Sequence, residues 1–157
     1  MEVELCAVSG YSEVGRNMTA IRVDDEVVII DMGVSIQDLV NYEREQEGNS
    51  ARVLSTKELI NIGAIPDDTK IEDWQHKVKA IVLGHGHYDH VAAVQFLAKN
   101  YNCPVMGTAF TLQILKSILR DDKVKIPNKL QTIQLNKKIR ISNNIEIELI
   151  PISHSTL

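Results

Sequence analysis

The apolar run Val78-Lys79-Ala80-Ile81-Val82-Leu83 leads through Gly84 into His85-Gly86-His87-Tyr88-Asp89-His90, and a helical pattern over 91–100 follows at once. No other stretch narrows the fold so far. A run of that composition needs a sheet around it, and the helix it feeds must pack back on that sheet. The turn between them carries three imidazoles and a carboxylate within six positions. Imidazole and carboxylate are ligands that zinc and manganese share, and hydrolytic zinc sites keep one position open for water. His85 and His87 lie two apart, so in extended chain they project to the same side and can grip one ion. Asp89 and His90 sit where the chain turns into the helix, which re-aims them toward a second ion nearby.

The remaining pattern fits a mixed sheet. Residues 3–8 alternate apolar and polar side chains, 10–17 are turn-rich, and 18–23 repeat the strand pattern. Asp24-Asp25 makes a tight turn into 26–31, where Val27 to Ile30 are apolar on consecutive positions, as in a strand buried on both faces. Gly33 ends it. A polar helix is expected over 36–47, broken at Gly48-Asn49. Ser55 reads as an N-cap with Glu58 in capping-box position, and Gly63 and Pro66 close that short helix. After the histidine motif, Val91, Val94, Phe96, Leu97 and Ala98 form an inward stripe. Pro104-Val105-Met106 is a short strand. Thr108 caps a helix on which Leu112, Leu115, Ile118 and Leu119 recur at three- and four-residue intervals. Three further strands are expected at 130–135, 139–141 and 145–152, the first two joined through Asn136-Lys137. Early antiparallel strands followed by strand–helix–strand units give an α/β fold, a mixed sheet with helices outside it. The chain ends at Leu157, directly beyond His154 and an expected strand, so 1–157 is expected to be a partial domain.

Length and composition allow one domain with a real core: 157 residues, 44% apolar and 24% charged. No apolar run approaches the roughly 20 residues of a bilayer-spanning helix, and the N-terminus lacks a basic leader. A cytoplasmic protein without a membrane partner is expected. Cys6 and Cys103 lack CxxC spacing and read as reduced, buried side chains. The net charge of −4 argues against a globally basic nucleic-acid binder, yet the charge is unevenly placed. Nine acidic residues between Asp38 and Asp73 face four basic ones, whereas eight basic residues from Lys116 to Arg140 face only Asp121 and Asp122. A basic stretch can meet phosphates, although a solvated face is the plainer reading.

These residues resemble the metallo-β-lactamase superfamily. HGHYDH fits its HxHxDH signature at every fixed position. SGYSEVGRNMTAIRV, VVIIDMG, KAIVLGHGHYDHVAAV and ISHS are similar to the N-terminal part of the β-CASP branch, nearest to the archaeal-type ribonuclease J family. The resemblance runs along nearly the whole chain and implies the N-terminal part of an αββα sandwich. It implies that His85, His87 and His154 hold a first ion, and that Asp89 and His90 serve a second. Zinc is then the expected metal, with manganese the alternative, and Asp89 also orients the nucleophile. Asp31 is implied to orient a ligand histidine or brace the metal loop; on the residues alone, capping the turn is the other role open to it. Ser12, Glu13 and Asn17 fall in a segment that lies near the family's active site, so substrate contacts are expected of them. That glycine-rich segment is not a nucleotide loop, because Arg16-Asn17 stand where Lys and Ser/Thr are required. His76, among Asp73, Trp74 and Lys77, reads as a solvated loop residue.

The implied activity is hydrolysis of RNA phosphodiester bonds by a metal-activated hydroxide, 5′-to-3′ in RNA decay. The family completes its second site with a bridging aspartate and a further histidine that lie beyond Leu157, and its β-CASP domain is missing here. Little activity is therefore expected of the isolated chain. Two rival readings stand beside this one. The first is a hydrolase of the same fold acting on a small-molecule thioester or lactone, since fold does not fix substrate. The second is a metal-poor scaffold or interaction module, against which the intact HxHxDH motif speaks. A partial domain also leaves sheet edges and apolar surface open, which is compatible with a homo-oligomer.

Overall fold

The computed structural model describes residues 1–45 and 53–154. Among these, six strands form one mixed sheet: β1 (Val3–Ser9), β2 (Met18–Val23), β3 (Glu26–Ile30), β4 (Val78–Val82), β5 (Val105–Gly107) and β6 (Leu130–Thr132), in that spatial order. The first three pair antiparallel and the last four pair parallel, with β3 common to both sets. The switch follows from connection length. Asp24 takes a left-handed φ of 51°, so β2 can fold straight back as β3. From β3 onward each strand is separated from the next by a helical excursion, which parallel pairing requires.

The consecutive apolar residues of β3 serve both faces of the sheet. Val27 and Ile29 join a core that includes Ile81, Val105, Leu112, Leu115 and Leu119. That side is covered by α2 (Thr56–Asn61), α3 (Tyr88–Val91), α4 (Val94–Leu97) and α5 (Ala109–Asp121). Val28 faces the other way with Ala80, Val82 and Met106, beneath Ile139 and Ile147. Those two belong to a separate hairpin, β7 (Lys138–Arg140) with β8 (Glu146–Glu148). The last two expected strands thus pair with each other and lie across the sheet. Asn136, in a left-handed turn with φ 57°, redirects the chain, and its N–H donates to the carbonyl of Leu149.

Local signals for the other helices hold. Ser55 caps α2 in a full capping box with Glu58, and the Thr108 hydroxyl accepts from the Thr111 N–H at the start of α5. α1 (Ile36–Glu45) buries none of its residues; the expected break at Gly48-Asn49 lies outside the described residues. Residues Asp68–Lys77 form a 3₁₀ segment started by the Asp67 carboxylate, with Ile71 turned into the core and His76 exposed.

The helix expected over 91–100 differs most. It starts a turn earlier, at Tyr88, and splits into α3, α4 and a 3₁₀ turn over Ala98–Asn100. The cause is competition for backbone partners. The Asp89 carbonyl accepts from the backbone and side chain of Asn17, and the Ala93 N–H donates instead to Met32. Ala92 and Ala93 are fully buried, and their small side chains let the Met32 backbone come that close. No helix among the described residues is long and apolar enough to cross a membrane.

Candidate metal centre

Every candidate ligand before His154 lies where the chain leaves the carboxyl end of a parallel strand. Ligands collect there in open α/β sheets. Asp31 follows β3, and His85, His87, Asp89 and His90 follow β4. Backbone bonds fix the loops against each other. The N–H of Met32 donates to His90 at 2.8 Å, that of Val34 to Tyr88 at 3.3 Å, and that of Gly33 to Asn17 at 3.1 Å. From below, α5 supports the turn: a β-carbon added at Gly86 would lie 3.2 Å from Ile114 and 3.6 Å from the Phe110 ring.

His85, His87 and His154 form one cluster. Nε2 of His85 lies 3.0 Å from Nδ1 of His87 and 3.1 Å from Nε2 of His154. One ligand atom from each falls within 4.8 Å of the other two. Two nitrogens bound to a tetrahedral zinc at 2.0–2.1 Å would stand about 3.3 Å apart, so this donor set suits one divalent ion with a position left for water. Burial pushes the His85 imidazolium below its ordinary pKa, and the neighbouring His90 and His87 push it the same way. That favours the neutral ring a metal requires.

A second set of polar groups adjoins the first, the His90 ring centroid lying 4.0 Å from that of His85. The buried Asp31 carboxylate divides its oxygens between the two halves of the turn. Oδ1 accepts from the Gly84 N–H and Oδ2 from Nδ1 of His90, both at 2.7 Å. Asp31 therefore both braces the loop and orients a histidine. With its proton toward Asp31, His90 turns the lone pair of Nε2 toward the Asn17 amide, 3.4 Å from Oδ2 of Asp89. Burial alone would lower the pKa of His90, but the bond and charge of Asp31, with Asp89 behind it, raise it overall.

The three residues expected to meet substrate are placed differently. Glu13 is engaged within its own loop, accepting from the Gly10 N–H, the Ser12 hydroxyl and Nε of Arg16, and these partners hold its carboxyl at about 2. Ser12 spends its hydroxyl on that bond. Asn17 turns its amide onto Asp89 and His90. Sequence reasoning treated Gly33 only as a strand terminator, whereas a β-carbon there would lie 1.5 Å from the Asp89 carbonyl oxygen. Its position two residues after the Asp31 that ends a buried strand is the signal that could have singled it out. Beside Asp89 a groove of about 490 Å³ opens, walled by Val14, Gly15, Val34, Ile36, Val40 and Arg44.

Comparison with known proteins bears on this geometry. A model of the β-lactamase superfamily domain matches residues 64–157. Ribonuclease J of Methanocaldococcus jannaschii is 42% identical over 156 residues, 99% of this chain and 34% of that protein. Ribonuclease J of Pyrococcus abyssi is 37% identical over 155 residues, 98% of this chain and 33% of that protein. The chain thus spans about a third of the length of the curated relatives it matches. A crystal structure from Enterococcus faecalis V583, described as a protein of unknown function, superposes with a TM-score of 0.67 at 20% identity. It covers 96% of this chain and 37% of that one.

Proposed function

The chain belongs to the metallo-β-lactamase superfamily, and on that premise we propose that it is the N-terminal part of a metal-dependent ribonuclease. The observation that carries the reading is the convergence of His85, His87 and His154 in a chain 42% identical to an archaeal ribonuclease J. These three would hold one divalent ion, and Asp89 with Nε2 of His90 would serve a second. Bound ions would supply Lewis acidity toward a phosphodiester and an activated water. The residues of the chain do the positioning. Asp31 fixes the tautomer of His90 and ties the strand end at Gly84 to it. Asp89, half-buried at the edge of the groove beside α1, presents a carboxylate where a nucleophile would be oriented. Zinc suits the three-imidazole set, with manganese the alternative for the carboxylate-containing half. RNA is the proposed substrate and the cytoplasm the proposed location.

The experiment has two parts. Metal content by plasma mass spectrometry, on chain purified without chelator, is expected to give about one ion per chain, lost in His87→Ala while circular dichroism stays unchanged. The longest natural polypeptide carrying this sequence is then assayed on 5′-monophosphorylated RNA and on a thioester. Chelator-sensitive RNA decay supports the proposal. Thioester hydrolysis with the RNA left intact would refute it in favour of a small-molecule hydrolase.

A further inference from the structure

Asn17 is 72 residues from Asp89 in sequence, yet its side-chain nitrogen reaches three acceptors of the metal turn. Nδ2 lies 3.0 Å from the Asp89 carbonyl oxygen, 3.1 Å from Oδ2 of Asp89 and 3.2 Å from Nε2 of His90. The backbone N–H of Asn17 adds a further bond to the Asp89 carbonyl at 3.1 Å. An amide nitrogen carries two N–H groups, so it satisfies two of the three acceptors at a time. Behind it, Gly10 closes the space: with φ +88° it lets Oδ1 of Asn17 sit where a β-carbon would come within 2.4 Å. The amide is thereby held in one direction, toward the turn.

A carboxylate on its own turns easily, because the last torsion of aspartate is broad. A donor fixed on one oxygen removes that freedom. We propose, resting on the two-ion reading above, that Asn17 is a positioning residue for the second ion. It holds Oδ2 of Asp89, and with it the direction of the carboxylate, and in the metal-free chain its second N–H engages Nε2 of His90. With Nε2 of His90 given to an ion, both N–H groups would remain for Asp89, one on its carbonyl and one on Oδ2. Asn17 is thus assigned to the metal turn and not to the substrate.

The test uses the chain with Co²⁺ as probe. Asn17→Leu keeps the side chain's approximate volume and removes the donor; Asn17→Ala is the second variant should the first fail to fold. The wild type is expected to show the visible bands of a first site that His87→Ala abolishes. A wild-type chain that binds no Co²⁺ sinks the metal reading and this proposal with it. The donor-less variant is expected to keep the first site and weaken the second ion about tenfold or more. In metal-free chain, nitrogen NMR should show Nε2 of His90 moving toward an unbonded imine nitrogen while Nδ1 stays protonated. This ring readout needs no bound ion and decides the case even where the chain takes up a single one. A folded Asn17→Leu with the second-ion affinity and the Nε2 resonance of the wild type overturns the proposal and leaves the metal reading standing.

Discussion

Replacing Gly33 by alanine tests how tightly the end of β3 is fitted to the histidine turn. The added methyl would lie 1.5 Å from the Asp89 oxygen, 2.0 Å from its carbonyl carbon and 2.6 Å from the His90 nitrogen, all of them backbone atoms. A carbon and a carbonyl oxygen settle at about 3.3 Å, so one loop must retreat by about 2 Å. Such a movement breaks at least two of the bonds that join 31–34 to 88–90, among them Met32 to His90 and Val34 to Tyr88. Overpacking of this kind costs about 1–3 kcal/mol, and each lost bond about 1 kcal/mol. The expected destabilisation is roughly 3–5 kcal/mol. A histidine turn displaced in this way should also weaken Co²⁺ binding about tenfold or more. Gly84→Ala is the matched control, because its methyl would meet nothing closer than Asp31 Oδ1 at 3.4 Å; its cost should stay below about 1 kcal/mol. Urea unfolding of both variants gives the energies, and Co²⁺ titration gives the site. A Gly33→Ala chain that loses less than about 1 kcal/mol and binds metal as the wild type does would refute the argument.

Two further perturbations follow from the same site. Asp31→Asn keeps an oxygen for the Gly84 N–H and tolerates the left-handed φ of 61°, but it sets an amide donor against the Nδ1 proton of His90. The ring should change tautomer and block Nε2, with a loss of about 1–3 kcal/mol; nitrogen NMR showing Nδ1 still protonated would count against this. Glu13 gives a pH prediction. Its folded pKa of about 2 lies below the ordinary glutamate value of 4.5, so its contribution is present above 4.5 and lost as pH falls toward 2. Thermal melts should decline through that window, Glu13→Gln should flatten the decline, and an equally steep fall in the variant would exclude the Gly10–Arg16 loop as the source.

What was legible in the sequence is what local rules write. The doubly apolar run of β3, the Ser55–Glu58 box and the spacing of Leu112, Leu115 and Leu119 each specify their element without help from distant chain. The histidine motif was equally plain, because six adjacent residues carry most of it. What escaped depends on partners far along the chain. The helix after the motif splits because Asn17 and Met32 take over its backbone bonds, and no periodicity records such a theft. Of Ser12, Glu13 and Asn17, expected to meet substrate, only Asn17 bonds to the histidine turn, while Ser12 and Glu13 close their own loop; the direction of each side chain was set by bonds that only the fold reveals. The β7–β8 hairpin left the sheet for a like reason: its short apolar stretches suit either partner, and the turn at Asn136 decides.

The bonds from Asn17, Asp31 and Met32 to the histidine turn also set an order of events in folding. Each spans 53 to 73 positions of chain, so each requires the closure of a long loop before it contributes anything. On a ribosome, the hairpins β1–β3 can form as soon as they emerge, whereas Asp31 must wait for Gly84 and then His90 to leave the exit tunnel before its two carboxylate oxygens have their partners. Until then His85 and His87 lie on a turn that the N-terminal strands do not yet support. Metal encountered early would therefore bind an unsupported pair, and the ordering of the turn would follow only when the N-terminal hairpins close over it.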